Sequence, residues 1–149
     1  MDIPTQPPVG HLIAYEYLWR SQAENREDGT KTYPSAVLMT EAIGNFTVAF
    51  VLGISHSEPH PGQRALEFPL KLKRHLGLDD EPAWIYTDEM NVFVWPGPDL
   101  RPADRLSGLP QTKDSCVIGR LPNDFFDQIK AHVAESRRLG KASVSKRTM

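Results

Sequence analysis

Apolar residues come in short runs separated by turn chemistry, a spacing that favours strands over long helices. From His11 to Trp19 the chain is apolar and rich in aromatic and β-branched residues, so a strand is expected. In a strand, Ile13, Tyr15, Tyr17 and Trp19 share one face, and Leu12, Ala14, Glu16 and Leu18 the other. A polar loop over 21–32 follows and is the first place to look for function. A second strand is expected over 35–40 and a long, strongly apolar third over 46–54, joined through Gly44-Asn45, a pair suited to a tight hairpin turn. The third strand has the composition of a sheet centre and runs into Ser55-His56-Ser57.

Beyond a turn at 59–62, a short strand is expected near 65–68. A short helix follows, in which Leu70, Leu72 and Leu76 can share a side before Gly77 ends it. The stretch 84–95 suggests one or two strands, stopped by Pro96, Gly97 and Pro98. Residues 96–114 are expected to form a long polar connection, and 115–118 a short strand. Pro122 suits the first turn of a helix. Phe125, Phe126, Ile129 and Val133 then recur at helical spacing, with Asp124 and Asp127 near the start and Arg137 and Arg138 near the end, as the helix dipole prefers. Gly140 is a natural stop. Many short strands followed by one amphipathic helix imply a mainly β protein with helices, an antiparallel barrel against which the C-terminal helix packs.

Composition narrows this picture. At 149 residues with 40% hydrophobic content, the chain can build one core of ordinary size. We expect a flexible N-terminal arm at 1–9, a single domain at 10–140 and a basic, disordered tail at 141–149. The net charge of −2 argues against a broad electrostatic grip on nucleic acid and leaves room for a local basic groove. The single cysteine, Cys116, cannot form an internal disulfide and reads as a small buried apolar group. The first residues lack the pattern of a secretory signal, and no apolar run reaches the ~20 residues of a membrane helix. A cytoplasmic location and no membrane partner are therefore expected.

Four segments, in order, resemble the PemK/MazF family of toxin–antitoxin toxins. Gly10-His11-Leu12-Ile13-Ala14-Tyr15 is similar to the family's opening strand, and Pro34-Ser35-Ala36-Val37-Leu38 to its second. Ile54-Ser55-His56-Ser57 falls where the family has an apolar strand ending in a hydroxyl residue. Gly119-Arg120-Leu121 and the helix after it resemble the family's closing segment. Residues 87–102 look closest to a PemK-like subgroup described as growth inhibitors or plasmid-maintenance toxins. The resemblance implies an SH3-like barrel of the PemK/MazF/CcdB type, a homodimer, and an antitoxin partner. It also implies metal-independent cleavage of single-stranded RNA through the 2′-hydroxyl.

The chain departs from the family at an important position: Tyr33, not arginine, precedes Pro34. Tyrosine, with its pKa near 10, supplies no permanent positive charge. Lys31, two residues earlier, points the same way in an extended chain and is our expected substitute. His56 is the natural proton-transfer group at neutral pH, and Ser55 matches the family's strand-end hydroxyl. These three make the expected catalytic set, with Ser57, Tyr33, Glu89 and Asn91 binding substrate. Each has a plainer reading: Ser55 satisfying backbone at a strand end, His56 beside a turn, Glu89 and Asn91 on a solvated strand face. His56 and His60 have metal-like spacing, but Pro59 and Pro61 prevent the helix that would align them, so no metal or other cofactor is expected. The alternative function is a non-catalytic barrel of the same kind that acts by protein binding, as a gyrase-poison-like module or a non-toxic relative.

Overall fold

The computed structural model describes residues 1–23 and 31–147. Its frame is one largely antiparallel sheet. Strands β1 (His11–Tyr15), β2 (Tyr33–Ile43) and β3 (Phe46–Ser55) lie side by side, and β7 (Val117–Arg120) adds to the outer edge of β1. The β2–β3 hairpin closes with Ile43 opposite Phe46, so its loop is the expected Gly44-Asn45 pair. Gly44 takes the positive φ, 60°, that such a turn demands.

Strand β3 is the centre of the sheet, and beyond it the sheet forks. Its C-terminal end, at Ile54 and Ser55, pairs with β5 (Trp84–Tyr86), which carries β4 (Ala65–Glu67). Its middle, Val48 to Val51, pairs with β6 (Glu89–Val94). The fork follows from Thr87 and Asp88, which separate β5 from β6 and let one run of chain pair with two parts of β3. No ladder among the described residues joins the sheet's two ends, so it is an open sheet rather than a closed barrel.

Both faces of this sheet are buried, which is why its strands read as continuous apolar runs. One face carries Leu12, Ala14, Ala36, Leu38, Leu52 and Ile54 against α2 (Leu70–His75) and α3 (Asn123–Arg138). The other carries Ile13, Tyr15, Val37, Ala49 and Val51 with Phe93, Trp95 and Cys116. The expected two-faced split of β1 therefore holds, although the strand ends at Tyr15 and a short helix, α1 (Arg20–Ala23), follows. In α3, Phe125, Ile129 and Val133 are buried as the periodicity requires, and Phe126 is half-buried. In α2, Leu72 is buried, as is Leu76 at its C-cap, but Leu70 is exposed and leaves the expected stripe.

Both ends of the chain differ from expectation. The N-terminal residues are packed rather than loose: Asp2 bridges to Ser115, and the Trp95 indole N–H donates to the Pro4 carbonyl at 2.8 Å. They cover the second core, which β1 alone leaves open. The stretch after Gly140 is not a solvated tail over its described part. Gly140, at φ 72°, turns the chain back, the Lys141 N–H caps the Ser136 carbonyl, and β8 (Ser143–Lys146) then pairs in parallel with β6. Its last described residue, Arg147, is buried. No described helix is long and apolar enough to cross a membrane.

Candidate functional site

The start of β2 and the end of β3 meet because their register pairs Ser35 with Gly53, which brings Tyr33 and Ser55 to the same end of the hairpin. Those two residues form a ridge between two hollows and line both. The expected meeting of the segment before Pro34 with the one beginning at Ser55 thus has a geometric counterpart. Residues 24–30 of the polar loop lie outside the described residues.

The larger hollow is a cleft of ≈ 640 Å³ between the ridge, α1 and the 57–63 turn. Trp19 forms one wall. It packs on β3 because position 53 is glycine: a Cβ there would sit 2.7 Å from the indole. The rings of Tyr33 and Tyr86 meet it edge-on at 5.3 and 5.5 Å between centroids, so the wall is aromatic and rigid. Arg20, Ser57, His60 and Gln63 supply polar groups around the rim.

Glu89, the first residue of β6, forms the floor and is only 5% exposed. Its Oε1 accepts the Arg20 backbone N–H at 3.0 Å and the Tyr17 hydroxyl at 3.4 Å. Burial outweighs these donors and the Arg20 charge and holds the carboxyl above its ordinary value, with Asp88 adding repulsion. Burial, then the neighbouring Glu89, pushes the Tyr17 hydroxyl well above its own.

The smaller hollow, ≈ 210 Å³, lies across the ridge and has Lys31 and His56 on its wall. Here the polar groups satisfy one another. His56 has Nδ1 2.9 Å from the Pro82 carbonyl and Nε2 3.0 Å from Asp79. Both are acceptors, so each imidazole nitrogen faces a protein oxygen. The Lys73 ammonium, on a side chain only 3% exposed, sits 2.6 Å from the other Asp79 oxygen. Burial alone would raise the Asp79 carboxyl. The hydrogen bonds from Lys73 and the Glu81 N–H, with the Lys73 charge, overcome this and hold it below its ordinary value. His56, Asp79 and Glu81 present ligand atoms within 4.8 Å of one another, but Lys73 already provides the cation at Asp79.

The expected site residues therefore separate. Tyr33 and Ser55 sit on the ridge, Lys31 and His56 line the small hollow, and Ser57 and Glu89 line the cleft. Ser55 also does what its plainer reading required, since its Oγ accepts the Ser57 N–H at 3.1 Å. Asn91 lines neither hollow. It is fully buried, and its carboxamide bonds both the N–H and the carbonyl of Leu18 at 2.8 Å, which makes it a backbone clamp rather than a substrate contact. Sequence reasoning passed over Arg20 and Gln63. The one available signal was a cation placed directly after the last aromatic of an apolar run. The chain matches no family model, no curated protein and no solved structure.

Proposed function

We propose that this chain is the toxin component of a toxin–antitoxin pair and a metal-independent endoribonuclease that works in the larger cleft. One observation carries the reading: a buried carboxyl, Glu89, opens into a cleft that also holds Arg20 and an aromatic wall. Cleavage through the neighbouring hydroxyl needs a base, an acid and positive charge. Glu89 takes the proton of the 2′-hydroxyl, whose oxygen attacks the adjacent phosphorus. The bond to the 5′-oxygen breaks, and that oxygen leaves with a proton from His60. Arg20 faces the charge of the phosphorane, and Trp19 offers a surface on which a base stacks. The products are a 2′,3′-cyclic phosphate and a 5′-hydroxyl.

Glu89 suits the role because its raised pKa makes it a stronger base than an exposed carboxylate. Arg20 takes the place in the scheme that we first gave to Lys31, and Glu89 that of His56, whose nitrogens each face a protein oxygen. In this reading the sheet is an opened variant of the family's SH3-like barrel, and the protein is a cytoplasmic homodimer held in check by an antitoxin.

The test is incubation of the purified protein with mixed-sequence single-stranded RNA in EDTA, with end-group analysis. Cuts bearing cyclic phosphate, lost in Glu89→Gln, support the proposal. Intact RNA at high protein concentration overturns it. The second reading, a barrel that acts by protein binding, draws on Met39, Ile43 and Phe46, which are 44%, 53% and 61% exposed around the hairpin tip. Intact RNA in that assay would favour it.

A further inference from the structure

The most heavily bonded side chain in the C-terminal strand region is Arg147, which the cleft does not use directly. We propose that Arg147, acting through Asn91, is the positioning residue for the Trp19–Arg20 wall, so that the C-terminal strand is a working part of the cleft.

The rings of the wall hold one another and Glu89 holds the Arg20 N–H, but the segment that leads into the wall depends on other contacts. Strand β1 ends at Tyr15 and α1 begins at Arg20, and the chain between them runs outside any ladder. Leu18 is held by the Asn91 side chain, whose oxygen accepts its N–H and whose amide donates to its carbonyl. A carboxamide does this in only one of its two orientations. Turned by half a rotation, it would set donor against donor and acceptor against acceptor.

Arg147 selects the orientation. Its Nη1 lies 3.1 Å from Asn91 Oδ1, and a guanidinium, which only donates, is compatible with an oxygen there and not with an NH₂ group. The same guanidinium donates to the Glu16 carbonyl at 2.6 Å and to the Tyr15 hydroxyl at 3.2 Å. It thus grips the segment leading into the wall at two points before Leu18. Its charge is met by Asp99 at 3.0 Å, and its side chain has no exposed surface, so the fork has no room to turn. The strand that delivers Arg147 touches the cleft groups as well: Ser143 pairs with Glu89 across the β6–β8 ladder, and its Oγ lies 3.4 Å from Arg20 Nη1.

The activity arm of the test rests on the proposed ribonuclease, whereas the structural arm does not. Amide hydrogen exchange is followed on the full chain and on Arg147→Lys, which keeps a cation for Asp99 but loses the fork. Lys146→Ala, an exposed change on the same strand, is the control. The Leu18 amide should be slow in the wild type and exchange about tenfold faster or more in Arg147→Lys, with Ile129 in α3 unchanged. Cleavage should weaken in kcat as well as in KM, because the wall carries both the stacking ring and the Arg20 charge that faces the phosphorane. Fast Leu18 exchange in the wild type overturns the proposal without any variant. So does wild-type protection of Leu18 in Arg147→Lys, whatever happens to RNA. A wild type that cleaves nothing but shows the Leu18 effect removes the ribonuclease and leaves the clamp standing.

Discussion

On one side of the Tyr33–Ser55 ridge, His56, Lys73 and Asp79 are bonded to one another and to backbone carbonyls. On the other side, Glu89 is anchored through a single oxygen, and among the described residues the Arg20 side chain hydrogen-bonds Ser143 alone, at 3.4 Å. By residue type the first side is the more promising, with a histidine next to a serine-rich strand end. By geometry it is the poorer, because groups that have already satisfied one another have little left for a ligand. A titratable residue is useful to chemistry when its fold leaves it incompletely answered.

The sharpest way to break this comparison is Glu89→Gln. It keeps an acceptor for the Arg20 N–H and removes the base, so the cleavage rate should fall by about a hundredfold to ten-thousandfold. Its stability should move the other way. A carboxyl whose folded pKa is raised contributes stability that is full below its unfolded pKa and is lost as pH rises through the folded one. Above that range the ionised Glu89 is a burden, so Glu89→Gln should melt no lower than the wild type there. A melting temperature that drops sharply would make Glu89 structural.

The activity profile sharpens the same point. Cleavage needs ionised Glu89, so the rate should climb with pH through an inflection above the ordinary carboxylate value of 4.5. An inflection at or below that value would point to a different base.

On the other side of the ridge the expected losses are in stability. Lys73→Met removes the buried ammonium from Asp79. Because Asp79 is 55% exposed and water can replace the partner, the cost should be about 1–2 kcal/mol by chemical denaturation. The depressed pKa of Asp79 contributes stability above its unfolded value, lost as pH falls through the folded one. Acid unfolding of the wild type should therefore draw on this bridge below about pH 4, and Lys73→Met should lose that part of its pH dependence. The smallest effect belongs to His56→Ala, which should leave cleavage within about threefold, since an imidazole tied to Asp79 and Pro82 moves no proton for a substrate. A large loss in that variant would reverse the assignment of the two hollows.

Much of the frame was legible before any coordinates. The Gly44-Asn45 hairpin, the α3 stripe through Phe125, Ile129 and Val133, and the two faces of β1 are set by neighbours within one or two turns of chain. The burial of Glu89 was not legible, because an isolated glutamate at a strand start reads as solvated. Only Arg20, Tyr17 and Trp19 closing around it make it a floor. The basic stretch at the C-terminus was misread for a related reason. A cluster of cations suggests solvent, and nothing local reveals that Asp99 waits to receive one of them.

Turn chemistry and periodicity, which act over a few residues, were enough to determine the hairpin, the long helix and most of the strands, but not β8. What only the tertiary structure decided is which polar groups converge and which are already answered. The Tyr15–Arg147 contact spans 132 positions and the Asn91–Arg147 contact 56. Such pairings depend on the fork at β3 and on the return of the chain after α3. Hydrogen bonds and ion pairs act over a few ångströms of space, so separation along the chain carries no information about them until the sheet has set the distances.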